Sequence, residues 1–530
     1  MENGGNNCLD LLPGVHEDID TTLIPAALRG YHDERDLLDN EHNSDGEDES
    51  ILPNPDPDIG ISPMLLVSQN PALARTIAPA PIPSVPTIPV AETNNDILSS
   101  DQQLVADVLL DPACKGIHVI TGGPGCGKTF LTQHLLRKFK DSRRNLIVCG
   151  STGVSACRLS SDAMTLHRAF NIEVKGMLET ITTSDECFER INQCDVVVVD
   201  EFSMITRSSV FHVLWRLLQG AIDPITCRPY YTDIDDMLKH KLIVFIGDEK
   251  QLPPVCHCKG KKRPHDVCRE CIIFADIHFR EATFHTLTTN FRQASDPVYL
   301  KFLNYIRDNV PTQEMIDEVL GDCTIDNFDD ANVLHYLDEE TTIICSHLDR
   351  VLFYNNTMFH KCYPDTTKHL ITGEASKQNS IPVCAVGCKV MITNNDYIKH
   401  GIANGTVGTI IASTLRKAQK VNRTYLNKIT VSIEGTNHVQ DIKKSGFYST
   451  DNKDREVKFP DVFPLKMCYS LTVHKCQGMT ICNKVLIDIT DGFCPGLLYV
   501  ALSRITNRSN IKIATKLTPD MFIPVVIPRF

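Results

Sequence analysis

The stretch Gly122-Gly123-Pro124-Gly125-Cys126-Gly127-Lys128-Thr129 constrains the chain most. The short apolar run Ile117-His118-Val119-Ile120-Thr121 precedes it, and Phe130-Leu131-Thr132-Gln133-His134-Leu135-Leu136 follows with the pattern of an amphipathic helix. A strand, a glycine loop and a helix opening on Lys-Thr form the context in which such a loop cradles phosphate. Glycines let backbone N–H groups converge, and the helix N-terminus adds partial positive charge. Gly122, Gly123, Pro124, Gly125, Cys126, Gly127, Lys128 and Thr129 are therefore the expected phosphate cradle. Lys128 would reach the β/γ-phosphates of ATP, and the Thr129 hydroxyl would ligate magnesium. A plain glycine-rich turn before a helix is the alternative.

Continuous apolar runs recur downstream: Leu146-Ile147-Val148-Cys149, Val196-Val197-Val198-Val199 and Leu242-Ile243-Val244-Phe245-Ile246. Such runs suit strands buried on both faces of a parallel sheet, joined by helical crossovers. A second set opens at Thr342-Ile343-Ile344-Cys345 and resumes at Lys484–Ile489, which predicts a second sheet lobe. Residues 405–465, rich in Thr, Val, Ile, Lys and Asn, read as a small β-rich insertion. The fold class is α/β.

Charge is unevenly placed. Residues 1–50 hold fourteen acids and two bases, whereas the rest of the chain holds 52 acids and 51 bases. Of the net charge of −13, −12 thus resides in the N-terminal segment, which does not exclude a basic groove in the body. Residues 1–96, acidic and then rich in proline from Pro53 to Pro89, are expected to be a disordered tail that offers a contact for replication or recombination proteins. Nothing in the sequence has the form of a secretion signal, a mitochondrial presequence or a membrane span. The 21 scattered cysteines suit a reducing compartment, nucleus or cytosol, and a virus-encoded protein working there would look the same.

Two further segments carry chemistry. Val199-Asp200-Glu201 ends a buried strand in two acids, one suited to the magnesium shell and one to polarising the attacking water. Ile246-Gly247-Asp248-Glu249-Lys250-Gln251-Leu252-Pro253-Pro254-Val255 offers Gln251 from a loop stiffened by two prolines, placed to sense the γ-phosphate.

Here the chain resembles the superfamily-one helicases. Gly247–Val255 resembles their motif III, and the partner motifs fall into line over residues 98–510. Leu98-Ser99-Ser100-Asp101-Gln102 is similar to the adenine-reading Q-motif, which implies a base contact for Gln102. Ser151–Ala156 and Thr165-Leu166-His167 resemble single-strand contact motifs. Leu287–Gln293 resembles the motif that supplies an arginine, here Arg292. Gly387–Met391 with Asn404–Gly408 matches a second-lobe pattern. Val473-His474-Lys475-Cys476-Gln477-Gly478-Met479-Thr480 and Tyr499–Arg504 match the last two motifs. The His-Lys-x-Gln-Gly-x-Thr form resembles the Pif/RecD branch.

The resemblance implies two RecA-like lobes: residues 97–290, then 291–404 and 466–530 with an SH3-like insertion at 405–465 between them. It implies a wedge at 168–190. It also implies an ATP-dependent DNA helicase that travels 5′ to 3′ on single-stranded DNA in replication, recombination or repair. Its partners would be single strands and duplex junctions, met by Thr152, His167, His474, Lys475 and Thr480. Lys128, Asp200, Glu201, Gln251, Arg292 and Arg504 would carry the ATP chemistry. An arginine reaching an NTP from a neighbouring lobe can be worth about a thousandfold or more in rate. A motor subunit of a helicase–primase or helicase–nuclease assembly, and a remodelling module that never unwinds, are the competing readings.

One departure stands out. Cys256-His257-Cys258 and Cys268-Arg269-Glu270-Cys271 bracket a basic stretch within an insertion at 256–271. Cys256, Cys258, Cys268 and Cys271 suit tetrahedral zinc, with His257 or His265 as substitute ligands. Reduced thiols in a cysteine-rich chain are the other reading.

Overall fold

The computed structural model describes residues 97–160, 162–172, 187–226, 228–256, 267–268, 270–326, 328–329, 333–365, 370–371, 383–418, 423–445, 448–450, 456–458, 462–490 and 494–527. The acidic and proline-rich tail, the middle of the expected wedge (173–186) and Cys258 lie outside them.

Six strands build the first sheet: β1 (Gly116–Gly122), β2 (Leu146–Gly150), β3 (Met164–Thr165), β4 (Val196–Asp200), β5 (Leu242–Gly247) and β6 (Thr283–Leu287). Their order is β3-β2-β4-β5-β1-β6, and every neighbouring pair is parallel. The valine run explains why. Val197 and Val199 point into one core with Ile147, Ile243 and Leu214. Val196 and Val198 point into the other with Val244, Ile246 and Leu131. Strand side chains alternate between faces, so a strand apolar at every position needs cover on both. The helices Lys128–Asp141 and Arg207–Gly220 contribute to those two covers. The register sets Gly150 beside Asp200 and Thr121 beside Gly247, so the chemistry-bearing residues gather at the carboxyl ends of the strands. Open α/β sheets place ligands there.

The second lobe opens with β7 (Thr342–Cys345). An excursion follows through β8 (Leu370–Ile371), β9 (Val383–Cys384), β10 (Lys389–Ile392), β11 (Val407–Ala418), β12 (Arg423–Ile433), β13 (Val439–Ile442), β14 (Tyr448–Thr450), β15 (Glu456–Lys458) and β16 (Leu465–Met467). The chain then returns as β17 (Ser470–Thr472), β18 (Val485–Asp488) and β19 (Ile511–Ile513). Strands β17-β7-β18-β19 form a parallel sheet, again with alternate residues in two cores: Ile344 and Ile487 in one, Ile343 and Leu486 in the other.

The excursion folds as an antiparallel sheet in the order β13-β12-β11-β10-β16. This sheet begins earlier in the sequence than residue 405. Strand β10 pairs with both β11 and β16, and Val390 and Ile392 enter the same core as Ile410, Ile429 and Val431. The Lys389–Ile392 run looked like part of the parallel lobe because its apolar content does not reveal which sheet it joins.

Asn355, on the helix Leu348–Cys362, fastens the return. Its Oδ1 accepts from the N–H groups of Tyr469 and Ser470 at 2.8 and 3.0 Å, and its Nδ2 donates to the Ser470 carbonyl at 3.3 Å. The side chain is buried, so Asn355→Ala leaves two backbone donors without their acceptor. A loss of about 1–3 kcal/mol is expected, read as a lower denaturation midpoint. An unchanged midpoint would show that the return strand is held by other contacts.

Candidate active site

The phosphate loop leaves β1 at Gly122 and ends at the first turn of the helix Lys128–Asp141. Gly125 and Gly127 adopt φ of 83° and 70°, the left-handed region where only glycine is unstrained. Space demands glycine as well: a Cβ on Gly127 would lie 2.4 Å from Gln102 Nε2. The Lys128 Nζ sits in the loop's mouth, donating to the carbonyls of Gly122 and Gly123 at 2.6 and 3.0 Å. Thr129 is exposed in the same first turn, and Cys126 is buried, its thiol pushed up by burial.

Three residues brace the loop from outside. Asn290 Nδ2 donates to the Pro124 carbonyl at 2.7 Å, and the Phe291 N–H donates to the Gly125 carbonyl at 2.8 Å. Gln102 is buried and fully engaged. Its Oε1 accepts from the Ser99 N–H, and its Nε2 lies 3.3 Å from the Cys126 carbonyl and 3.4 Å from that of Gly127. In this arrangement Gln102 fastens the Q-like segment to the phosphate loop, and Asp101 extends the bracing by accepting from the N–H groups of Thr288 and Thr289.

The two acids at the end of β4 differ in kind. Asp200 is buried, and burial, reinforced by Glu201, raises its carboxyl above the ordinary range. A divalent cation would hold it ionised. Glu201 takes φ of 54°, a strained conformation for a residue with a Cβ. Its buried Oε2 has no hydrogen-bond partner among the described residues, and the same is true of Gln251 Oε1. Hydroxyl and carboxylate oxygens of the Thr129 and Asp200 type fit magnesium, a hard cation. The orphaned acceptors of Glu201 and Gln251 fit a role toward water and phosphate.

The second lobe completes the site. Arg504 is buried, with Nε donating to the Val500 carbonyl and Nη2 to Ser503 Oγ. Arg292 Nη1 donates to the Ser503 carbonyl at 3.1 Å. Burial and the neighbouring Arg504 bring the Arg292 guanidinium down to about 10, while Glu201 opposes the shift. A third arginine, Arg158 on the helix Gly153–Leu159, joins this group. It donates to the Gly478 carbonyl across the lobe boundary and feels Glu201 and Asp200. Gln477 Nε2 meets Ser203 Oγ at 3.0 Å across the same boundary. Beside them Asp248, fully buried, accepts from Arg307 at 3.0 Å and from the Tyr499 hydroxyl at 2.9 Å. Sequence reasoning missed Arg158, Asn290, Arg307 and the acceptor role of Asp248. For Arg158 the only available signal was a basic residue in the helix after the first single-strand motif.

The expected nucleic-acid contacts sit on separate elements. Thr152 is exposed and caps the helix Gly153–Leu159 by accepting from the Ser155 N–H. Gly153 and Val154 lie against Asn395, Ala403 and Gly405, so the single-strand motif faces the inserted sheet's loop. Lys475 and Thr480 are exposed, whereas His474 and His167 are half-buried. The Sγ atoms of Cys256, Cys268 and Cys271 all lie within 4.8 Å of one another.

A family model for PIF1-like helicases matches residues 97–307. Over those residues the chain is similar to the PIF1-like helicases. Two bacterial ATP-dependent DNA helicases named Pif1 align across most of it. That of Bdellovibrio bacteriovorus is 25% identical, covering 74% of this chain and 82% of the relative. That of Campylobacter jejuni is 24% identical, covering 74% and 88%. The crystal structure of Bacteroides Pif1 bound to single-stranded DNA superposes with a TM-score of 0.58 at 24% identity, covering 81% of this chain and 95% of that one. Pif1 helicase from Candida albicans gives 0.59 at 22%, covering 81% and 96%. These two structural likenesses show a shared fold.

The Glu201→Gln variant is expected to bind ATP and to hydrolyse it roughly 10²–10⁴-fold more slowly. Single-turnover phosphate release measures this, and normal cycling would assign the water to another group. A hydrogen bond to a charged donor is worth about 1.5–3 kcal/mol, so Arg158→Ala should lower kcat by about tenfold or more. An unaltered kcat would reduce Arg158 to a surface contact.

Proposed function

We propose that this ATP-dependent DNA helicase moves 5′ to 3′ along single-stranded DNA and parts the duplex ahead of it. One observation carries the reading: the phosphate loop and the acids Asp200 and Glu201 belong to one lobe, while Arg504 and Tyr499 reach the same place from the other. A site assembled from two lobes changes when they close. Closing on ATP and opening after hydrolysis gives a ratchet along a strand. Lys128 and the loop N–H groups hold the phosphates. Thr129 and Asp200 would hold magnesium, which when bound would offset the charge of the phosphates. Glu201 orients the attacking water, Gln251 senses the γ-phosphate, and Arg292 and Arg504 meet the charge that spreads over the phosphate oxygens. Arg158 is positioned to join them.

Thr152, His167, His474, Lys475 and Thr480 supply the contacts to the strand. Zinc on the cysteines after motif III belongs to the reading as a structural ion, apart from the ATP chemistry. Replication or recombination proteins would dock on the acidic tail. Among the described residues no helix is long and apolar enough to cross a membrane, and no disulfide joins the described cysteines. Reduced thiols are consistent with work in the nucleus or cytosol.

Matched duplexes carrying a 5′ or a 3′ single-stranded tail test the direction, with Lys128→Ala as the control that folds but does not turn over. Unwinding from the 5′ tail alone is the expected result. Unwinding from the 3′ tail would reverse the assigned polarity, and ATP turnover without unwinding of either substrate would point to a remodelling module.

A further inference from the structure

The loop that follows β5 leaves the first lobe and enters the second. Asp248 is tied to Arg307 and Tyr499, and Leu252 is buried in the second-lobe core with Tyr299, Phe302 and Leu498. Four residues after Leu252 comes Cys256. Val267 and Cys268 belong to the limb that runs back into the first lobe. There the Cys271 carbonyl accepts from the Arg207 N–H at 2.8 Å, Ile272 bridges to Thr206, and Ile273 enters the first-lobe core. Thr206 caps the helix Arg207–Gly220, which begins just after Glu201 and the short turn Phe202–Met204. The outgoing end of the Gln251 loop and the approach to the helix behind Glu201 therefore meet at one small cluster of sulfur atoms.

The cluster has the make-up of a metal site. The Cys268 carbonyl accepts from the N–H groups of both Cys271 and Ile272, a tight turn that turns a Cys-x-x-Cys pair toward a common point. Cys256 arrives from the other limb, and the three Sγ atoms lie within 4.8 Å of one another. Zinc–sulfur bonds of about 2.3 Å in a tetrahedron place the sulfurs about 3.8 Å apart, so a small inward movement seats the ion. Three soft donors favour zinc over the hard cations that suit Asp200 and Thr129. Pro253, Pro254, Ile272 and Val525 line an apolar cavity with Phe202 beside the cluster, so apolar packing adjoins both limbs.

We propose that Cys256, Cys268 and Cys271 bind one zinc ion, and that this ion ties the Gln251–Pro254 loop to the N-terminal end of the helix Arg207–Gly220. With its far end pinned, the loop passes movement at Gln251 and Leu252 into the lobe boundary. Without the pin, the limb after Pro254 absorbs it. The coupling half of the proposal rests on the motor reading above, whereas the metal half stands by itself.

Elemental analysis of the full chain, purified without chelator, is expected to give about one zinc per molecule. Cys268→Ser and Cys271→Ser should lose it, and Cys482→Ser, an exposed thiol elsewhere, should keep it. Cobalt added to metal-stripped wild-type protein should produce thiolate-to-metal charge-transfer absorption, a readout that does not depend on any variant folding. Cys258→Ser measures whether that neighbour completes the coordination: loss of zinc supports a four-sulfur site, and retained zinc supports the three-sulfur set. Wild-type protein that neither contains zinc nor gives the cobalt band overturns the site. A folded, zinc-free Cys268→Ser that unwinds as many base pairs per ATP as wild type overturns the tie. Zinc-loaded wild type with no ATPase stimulated by single-stranded DNA would instead sink the motor reading and leave the metal assignment standing.

Discussion

A carboxylate wholly removed from water cannot stand alone, and Asp248 is such a group. It leaves the end of β5 in the first lobe, and its two partners, Arg307 and Tyr499, come from separate helices of the second. Breaking a buried pair of this kind costs roughly 3–5 kcal/mol, because the remaining charge stays buried and unpaired. The carboxylate also keeps the Tyr499 phenol protonated, since burial first and Asp248 second raise it well above its ordinary range. The Tyr499 hydroxyl then lies 3.5 Å from where a Cβ on Gly123 would be, so the same hinge-like contact places a second-lobe group against the phosphate loop.

The arginine cluster depends on that joint. Burial first, and then Arg504 and Arg158, lower the affinity of Arg292 for a proton; burial and Arg504 do the same to Arg158, and Glu201 offsets part of the repulsion at both. A like-charge group of this sort is costly by itself and is stabilised by a polyanion. Its position, one arginine from the first lobe, one from the boundary and one from the second, makes the local charge depend on how closely the lobes approach. Glu201 adds a second stored cost through its left-handed backbone, worth of order 1–3 kcal/mol. Strain and like charge therefore meet at the residue assigned to the attacking water.

The segment proposed to meet single strands is built on the same principle of shared elements. The first-lobe segment Thr152-Gly153-Val154 packs on Asn395, Ala403 and Gly405 of the inserted region. Contact there is close because two small residues, Gly153 and Ala403, face each other. The insertion is thus fixed to the lobe that carries the ATP site, and its β11–β12 pair extends from that anchorage.

The sequence by itself determined the order of chemistry along the chain. The phosphate loop, the Asp200-Glu201 strand end and the Gln251 loop were legible because a continuous apolar run, an abrupt polar stop and glycine at fixed spacing are local signals. The two-sided burial of β4 and β5 was legible for the same reason. Tertiary structure decided which distant residues meet. Nothing local in Arg158 or Arg307 distinguishes them from surface arginines, since their roles come from carbonyl and carboxylate groups more than fifty residues away in sequence. Gln102 has the pattern of a base-reading glutamine, and only the fold shows that its amide joins the Ser99 N–H to the Cys126 and Gly127 carbonyls. Lys389–Ile392 has the composition of a lobe strand, yet it pairs within the insertion. Composition records what a segment must bury, and only the assembled chain settles against what.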